Sequence, residues 1–279
     1  MTASLLSIDP RCGRALAALL EERTGQRIAE NRSWRVETAL RPLLQSLSLD
    51  SVTQLTARLR DRSDPVLIDK VIDSLLNQET SFFRDGAVID TAAEVARQAA
   101  ARQGRPARIW CAACATGQEP LSLAMLFAED EHIPPPTIVA SDVSAAAIER
   151  ARRGAYSHFE IQRGLPIRRM IQWFSSEDGQ QWQAAPRLLE MIAYRRHNLV
   201  ADPSPGLAFD LILCRNVLFY FAPIMRELVL ERLADALAPG GLLLLGAGET
   251  VIGQSDRLRP SREARGFYER VPAATERAE

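Results

Sequence analysis

Apolar residues in the first part of the chain recur every three to four positions, which is the period of an amphipathic helix. Asp9 followed by Pro10 is typical of a helix start, and Gly25 of a helix end. Pro42 either kinks the second helix or marks its first turn. No alternating strand pattern intervenes, so we predict an all-helical N-terminal domain over residues 1–76. Its helices are expected over residues 9–25, 32–47, 51–62 and 64–76.

Beyond Gly104-Arg105-Pro106 the hydrophobic pattern changes to short apolar runs that alternate with helical segments. This alternation predicts an α/β domain over residues 106–279, with an open and mostly parallel sheet covered on both faces. Strands are expected over residues 108–114, 137–141, 209–214 and 241–246, and helices over residues 119–129, 144–153 and 223–237.

Two stretches do not follow this alternation. Residues 77–105 are interpreted as a linker between the two domains. Residues 154–196 hold Trp173, Trp182, Gly179 and many polar residues, and we interpret them as an insertion that decorates the sheet.

Composition narrows the function classes. The 279 residues are 47% hydrophobic and 25% charged with a formal net charge of -1, which is typical of a globular protein and argues against nucleic acid as a partner. The first ten residues lack a basic stretch followed by an apolar one, and no apolar run approaches a membrane span. We therefore expect no membrane insertion. Four unevenly spaced cysteines favour a reducing compartment, and so a cytoplasmic location.

Cys111 and Cys114 form a CxxC pair that could hold zinc or act as a dithiol. The chain has no second CxxC, and His132, His158 and His197 do not have metal-ligand spacing. We interpret both cysteines as small packing residues and expect no metal.

A candidate ligand site lies where the first two predicted strands of the sheet end, since ligands of such sheets bind at the carboxyl ends of the strands. Gly117 lies in a turn of small residues that opens a helix, and Asp142 follows 25 residues later, as expected for a carboxylate that accepts both ribose hydroxyls. The turn has one glycine and is not GxGxxG. A nucleoside without phosphate, such as S-adenosylmethionine, is favoured over NAD. The alternative is a structural turn with a surface aspartate.

Several ordered motifs extend along almost the whole chain. They are Gln-Glu-Thr-Ser-Phe-Phe-Arg-Asp at 78–85, Thr-Gly-Gln-Glu-Pro at 116–120, Ala-Ser-Asp-Val at 140–143, Asn-Leu at 198–199, Cys-Arg-Asn-Val-Leu-Phe-Tyr-Phe at 214–221 and Gly-Ala-Gly-Glu-Thr at 246–250. Together they resemble the CheR-type family, the chemotaxis receptor glutamate O-methyltransferases. The resemblance implies a Rossmann-like class I S-adenosylmethionine-dependent methyltransferase sheet, with a small N-terminal helical domain and a small β insertion.

The resemblance also implies residue roles. The segment 78–84 within the linker would close over the cofactor, with Gln78, Thr80 and Arg84 touching it; Gln78 stands where the family has Asn. The remaining cofactor-binding positions would be Gly117 in the turn, Glu119 at the methionine ammonium and Asp142 at the ribose. Asn198 and Leu199 would contact the adenine, and Arg215 and Asn216 would line the pocket. Tyr220 would face the transferred methyl.

The implied reaction moves a methyl group from S-adenosylmethionine to a glutamate carboxylate of a methyl-accepting chemoreceptor and leaves S-adenosylhomocysteine. The attacking carboxylate is ionised near pH 7, so no general base is required. We expect Arg84 to orient it through its guanidinium fork and Tyr220 through its hydroxyl. The alternatives are a methyltransferase for a small molecule or RNA on the same fold, and a non-catalytic cofactor-binding regulator.

A local basic surface suggests how the receptor docks. Residues 1–62 contain ten arginines and seven acidic residues, and Arg32, Arg35 and Arg41 cluster around one predicted helix. An acidic coiled-coil receptor would complement this face, although a solvated helix face is the alternative. The insertion lacks the glycine-rich loop associated with gripping a receptor tail peptide. We therefore expect no tethering through such a peptide.

Overall fold

A computed structural model describes residues 9–28, 33–130, 134–206 and 208–271. The chain divides into two compact units. One holds the chain up to Asn77 together with Tyr220–Ala222, and the other holds Gln78–Phe219 and the chain from Pro223 onward. None of the helices in the described ranges combines the length and the apolar composition needed to cross a membrane.

The first unit is helical, and the signals at its helix ends operate as expected. The Asp9 side chain accepts a hydrogen bond from the Arg11 N–H, and Asp64 accepts one from the Leu67 N–H at 2.9 Å. Pro42 lies inside its helix and not at the start. The apolar faces of the four helices form one core. The helices are α1 (Pro10–Thr24), α2 (Ser33–Ser46), α3 (Val52–Arg58) and α4 (Pro65–Leu75).

The second unit is built on a seven-stranded sheet. Its strands are β1 (Arg108–Ala112), β2 (Thr137–Asp142), β6 (Ile192–Arg196), β7 (Phe209–Cys214), β8 (Leu237–Leu245), β9 (Leu258–Pro260) and β10 (Phe267–Arg270). The order across the sheet is β6-β2-β1-β7-β8-β10-β9. The first five strands in this order are parallel, and β10 is antiparallel to both of its neighbours.

The helices that pack against this sheet are α5 (Gly86–Gln103), α6 (Gln118–Ala128), α7 (Ala145–Arg153), α10 (Pro186–Glu190) and α11 (Pro223–Ala236). Helices α8 (His158–Gln162) and α9 (Ile167–Trp173) contact the strands of the insertion instead. Helix α5 occupies most of the stretch 77–105 that the sequence assigns to a linker. Its buried stripe contains Ile89, Ala92, Ala93, Ala96 and Ala99, and alanine is too weakly hydrophobic to make such a stripe conspicuous.

The insertion contains a three-stranded antiparallel sheet of β3 (Ala155–Ser157), β4 (Phe174–Ser175) and β5 (Gln181–Ala184). The predicted range 154–196 is too long at its end, because β6 pairs in parallel with β2 and belongs to the main sheet. Strand β6 alternates buried Ile192 and Tyr194 with exposed neighbours, as an edge strand does, and so lacks the continuous apolar run of the central strands.

Candidate active site

Three turns meet at the edge of the sheet where the parallel strands β1, β2 and β7 end. The Cys114 N–H donates to the Ser141 carbonyl at 2.9 Å, which joins the turn after β1 to the end of β2. The His197 N–H donates to the Asp142 carbonyl at 2.9 Å, which joins β2 to the end of β6. One edge of the sheet therefore carries side chains that lie more than one hundred positions apart in the sequence, between residues 78 and 216.

Asp142 is fixed by backbone donors. One carboxylate oxygen accepts the Ala115 N–H at 2.9 Å and the other accepts the Ser144 N–H at 2.9 Å. A carboxylate accepts hydrogen bonds at about four positions, and the two hydroxyls of a ribose are donors of the kind that such a group accepts. Gln78 lies beside this turn, since its side-chain amide donates to the Ser144 hydroxyl at 3.0 Å.

Gly117 is required by packing. Its φ of 92° is in the left-handed region, and a Cβ atom there would lie 2.8 Å from the Cβ atom of Ala151 on α7. It would also lie 3.2 Å from the hydroxyls of Tyr156 and Tyr194. The glycine therefore allows the turn after β1 to pack closely against α7 and the two tyrosines.

Arg215, directly after β7, is at the centre of a buried charge network. Its side chain is 3% exposed, and Nη1 donates to Oε2 of Glu119 at 3.0 Å. Nη1 and Nη2 both donate to the backbone carbonyl of Arg84 at 3.2 Å, and Nη2 also donates to the carboxylate of Asp85. The Arg215 Nε is buried and has no hydrogen-bond partner among the described residues. The guanidinium therefore joins β7, α6 and the segment before α5.

The Glu119 side chain is 13% exposed, so its carboxylate is largely shielded from water. Burial raises its pKa above the usual value, and the positive charges of Arg215 and Arg84 oppose that rise. A carboxylate in this setting gains from an additional cationic partner. The ammonium of an amino-acid tail is such a partner.

The backbone around the site adopts conformations that side chains disfavour. Phe83, Asp85, Ala113, Ala115 and Asn216 have φ values of 48°, 57°, 62°, 48° and 60°. Such residues cost about 1–3 kcal/mol each and persist where the surrounding contacts over-determine them. These residues flank Arg84, lie in the turn after β1 and follow Arg215, so the backbone strain is concentrated at this sheet edge.

Glu249 is a positioning residue that the sequence analysis does not assign. Its Oε2 accepts the N–H groups of Asn216 at 2.7 Å and Gly246 at 2.8 Å, and its Oε1 accepts the Leu218 N–H at 2.7 Å. The carboxylate thereby ties the turn after β8 to the loop after β7. Its sequence signal was a glutamate three residues past the glycine that follows β8, at the same sheet edge.

The remaining predicted residues have local roles that the structure shows. The Asn198 side-chain oxygen accepts the Val200 N–H at 2.9 Å, and so stabilises the turn after β6. Leu199 is buried and Thr80 is half-buried. Tyr220 belongs to the helical unit, where its hydroxyl accepts a hydrogen bond from the Asn77 side chain. Its role at the transferred methyl stays a prediction.

The cysteines near the site are packing residues. Cys111, Cys114 and Cys214 are buried and free, and burial raises the pKa of each thiol. Neutral thiols of this kind behave as small apolar groups. Within the described ranges, no group of three or more His, Cys, Asp and Glu side chains is placed to hold a metal ion.

These donors and acceptors fit S-adenosylmethionine. The cofactor has a diol for Asp142 and an ammonium for Glu119, and it has no phosphate, which agrees with a single-glycine turn. The unpartnered Arg215 Nε lies in the same network and retains one buried donor for a polar ligand atom or water.

Comparison with known proteins identifies the family. The family model described as "CheR methyltransferase, SAM binding domain" matches residues 78–267. This chain is 34% identical to a protein from Vibrio cholerae serotype O1 named chemotaxis protein methyltransferase 1. It is 32% identical to a protein from Vibrio parahaemolyticus named chemotaxis protein methyltransferase. Each match covers 92% of this chain and 94% of the relative. The solved structure of the glycopeptide N-methyltransferase MtfA complexed with S-adenosyl-L-methionine has a TM-score of 0.35 and 14% identity, over 64% of this chain and 66% of that chain. The expected fold class and family are confirmed, and the chain belongs to the CheR family of S-adenosylmethionine-dependent methyltransferases.

Proposed function

We propose that this protein methylates glutamate side chains in the cytoplasmic domain of a methyl-accepting chemoreceptor. The names of its relatives support a role in chemotaxis. The observation that carries the proposal is a pair of fixed carboxylates: Asp142 is held by the backbone N–H of Ala115 in the turn after β1, and Glu119 at the start of α6 is held by Arg215. The two carboxylates offer matching partners to the ribose and to the ammonium of a nucleoside amino acid, which supports a cofactor site at this sheet edge.

The proposed binding roles follow from these contacts. Asp142 accepts the ribose hydroxyls, and Glu119 accepts the ammonium of the methionine tail. Arg215 orients Glu119 and neutralises part of its charge. The other proposed cofactor contacts come from Gln78 and Thr80 in the closing segment, Gly117 in the turn, Asn198 and Leu199 after β6, and Asn216 after β7.

The proposed reaction requires positioning and no proton transfer. S-adenosylmethionine supplies a methyl group bonded to a positively charged sulfur. A receptor glutamate, already ionised near pH 7, forms the new C–O bond as the C–S bond breaks, and the sulfur keeps the electron pair as a neutral thioether. Holding the two groups in line can supply roughly 7–11 kcal/mol of the barrier reduction. Arg84 and Tyr220 are the proposed orienting groups, and the charge of Arg84 already acts on Glu119 in this site.

The proposed docking surface for the receptor is the basic face of α2. Arg41 is exposed on this helix, Arg35 lies within it, and Arg32 lies outside the described residues. A glutamate-rich coiled coil complements that charge. Docking of a receptor tail peptide on the insertion is not part of the proposal, and a cytoplasmic location follows from the proposed substrate.

Incubation with methyl-labelled cofactor and a receptor cytoplasmic fragment tests the function. We expect labelled receptor whose label is released by mild base as methanol, because carboxyl methyl esters hydrolyse in base. A fragment whose glutamates at the methylated positions are replaced by alanine provides the control. Stable label would indicate another acceptor atom, and absence of label in a protein that binds S-adenosylhomocysteine would contradict the proposed substrate.

A further inference from the structure

Residues 79–85, which we call the strap, pack against the insertion as well as against the site. Phe82 is fully buried, and its ring meets those of Tyr156 and Phe174 edge-on at centroid distances of 5.1 Å and 5.5 Å. Tyr156 lies on β3 and Phe174 on β4, so the strap contributes one ring to the core of the insertion. The insertion therefore fixes one end of this segment.

Gly164, between α8 and α9, is the closest point of that contact. Its φ is +92°, and a Cβ atom there would lie 2.1 Å from the Phe82 carbonyl oxygen. That oxygen is backbone, so it cannot move aside as the end of a flexible side chain can. Only glycine fits this position without displacing the strap.

Side chains of the insertion hold the next residue of the strap. The Arg169 guanidinium lies over the Phe83 ring at 4.5 Å from its centroid, and Glu129 fixes that guanidinium by two hydrogen bonds of 2.9 Å. The Phe83 N–H donates to the Ser122 hydroxyl on α6 at 2.9 Å. Arg163 forms an ion pair with Glu79 at the start of the strap.

The far end of the strap supplies two of the groups that hold Arg215. The Arg84 carbonyl accepts from both terminal nitrogens of the guanidinium, and the Asp85 carboxylate accepts from Nη2. Only one residue separates the Phe82 carbonyl from that of Arg84, and Phe83 and Asp85 have left-handed backbone conformations. A shift at Phe82 is therefore transmitted to the carbonyl on which Arg215 depends.

We infer that the insertion positions the Arg215–Glu119 pair through the strap, with Gly164 as the positioning residue. The inference rests on the proposed role of Glu119 at the cofactor ammonium. It gives the insertion a function in cofactor binding that does not involve a receptor peptide. Displacement of the Arg84 carbonyl would leave further N–H donors of the buried Arg215 guanidinium without an acceptor. The guanidinium would then move away from Glu119.

The Gly164→Ala variant tests this inference, with Gly179→Ala as the matched control. Gly179 also has a positive φ, +70°, and lies between β4 and β5, but a Cβ atom there would have no neighbour within 4 Å. Both variants place an alanine at a left-handed φ, and only the alanine at position 164 would contact the strap. Isothermal titration with S-adenosylhomocysteine from pH 5 to 8.5 measures the Kd, and thermal unfolding verifies the fold.

We expect Gly164→Ala to raise the Kd roughly two- to thirtyfold and Gly179→Ala to leave it unchanged. The charged groups that face Glu119 are Arg215, Arg84 and Glu249. Less effective contact with Arg215 raises the pKa of Glu119 further, so the weakening of binding at low pH sets in at a higher pH in Gly164→Ala. A merely destabilised insertion would not move this pH dependence.

Wild-type affinity and pH dependence in a folded Gly164→Ala protein would overturn the inference, as would equal weakening in both glycine variants. If Gly164→Ala does not fold, Arg169→Met replaces it, and the same Kd and pH criteria decide the outcome. Glu119→Gln in the wild-type background tests the proposed role of Glu119 separately from the role of the insertion. If this variant binds S-adenosylhomocysteine like wild type, the proposed role of Glu119 fails, whereas the receptor-labelling experiment alone decides the proposed function.

Discussion

Arg215 shows how a buried charge can be held at a functional site. Its guanidinium is surrounded by two carboxylates and a backbone carbonyl, and these acceptors offset the cost of removing the cation from water. Glu119 shares the donors of Arg215 with Asp85 and the Arg84 carbonyl, so the guanidinium neutralises the charge of Glu119 only in part. Glu119 can therefore still attract the cofactor ammonium that it is proposed to bind.

Arg84 has separate roles for its backbone and its side chain. The carbonyl holds Arg215, whereas the guanidinium is proposed to orient the incoming carboxylate. We expect Arg84→Ala to keep the carbonyl contact, to change the Kd of S-adenosylhomocysteine by only a small factor, and to lower the rate of methyl transfer by roughly 100-fold. Single-turnover transfer to a receptor fragment measures the rate, with Arg168→Ala on the exposed side of α9 as the control. Near wild-type turnover would remove Arg84 from the reaction.

Glu249→Gln tests whether the loop after β7 depends on its carboxylate. The amide keeps one oxygen but turns an NH₂ group toward backbone N–H donors, so at least one of the three bonds is lost. We expect the free energy of unfolding to fall by about 2 kcal/mol and cofactor binding to weaken. Urea unfolding and calorimetry measure both quantities. Glu227→Gln, on the exposed face of α11, is the control and should change neither.

At the scale of the elements, the opposite end of the sheet is fixed by a second buried carboxylate. Asp210 on β7 accepts hydrogen bonds from the Arg105 side chain, the Arg108 N–H and the Gln103 side chain, all within 2.8–2.9 Å. This group joins the end of α5 and the start of β1 to β7. It lies at the amino ends of the strands and is therefore a stability element remote from the site.

The Asp210→Ala variant should lower the free energy of unfolding by roughly 3 kcal/mol near neutral pH, because it removes the carboxylate partner of Arg105 and the acceptor of the Arg108 N–H. Burial alone would raise the pKa of Asp210, but its hydrogen bonds and Arg105 outweigh burial and lower it. A lowered pKa stabilises the fold above the unfolded pKa of about 3.9 and loses that effect as the pH falls through the folded value. The difference between variant and wild type should therefore shrink below about pH 4.

Denaturant unfolding across this pH range measures the effect. Glu94→Ala, which removes an exposed carboxylate 3.9 Å from Arg97, is the control and should change stability by less than about 0.5 kcal/mol. A difference between Asp210→Ala and wild type that persists unchanged at low pH would show that the carboxylate charge is not what stabilises this junction.

The elements that sequence reasoning located well are those with strong local signals. The helices α1 and α4 begin where an aspartate and a proline predict, and β1, β2 and β7 are apolar runs. Helix α5 was missed because its buried stripe is mostly alanine, and β6 because an edge strand shows alternation and not a continuous run. The antiparallel strands β9 and β10 are short and polar on one side, and their pairing with β8 depends on long-range contacts that a local pattern does not contain.

The site was predicted from motifs, but its connections were not. Motif matching names Glu119, Asp142 and Arg215, and the fold brings their turns to one sheet edge. The Arg84 carbonyl accepts from a side chain 131 positions further along the chain, and Gly164 packs against the backbone carbonyl of Phe82, which also lies far from it in sequence. Such contacts arise from tertiary packing, which the side-chain chemistry of a motif does not specify.

At the scale of the whole molecule, charge is unevenly distributed between two parts of a nearly neutral chain. Residues 1–62 carry a net charge of +3 and the rest of the chain therefore -4, for a total of -1. A near-zero total makes nonspecific attraction to acidic polymers weak, while a local basic face still attracts an acidic partner at short range. Receptor docking should therefore depend on a few arginines and on salt.

Charge reversal on α2 tests this consequence. We expect Arg32→Glu with Arg35→Glu, and Arg41→Glu alone, to raise the KM for the receptor fragment, the double variant by roughly tenfold, with the Kd of S-adenosylhomocysteine unchanged. The salt dependence of the wild-type KM should also become weaker in the variants, because fewer ion pairs remain to be screened. Arg58→Glu on α3, exposed in the same helical unit, is the matched control and should have little effect. If Arg58→Glu raises the KM for the receptor fragment as much as the α2 variants do, receptor attraction depends on the total charge of the helical unit and not on a docking face. If the α2 variants also weaken S-adenosylhomocysteine binding in parallel, the helical unit acts on the cofactor site and the docking assignment fails.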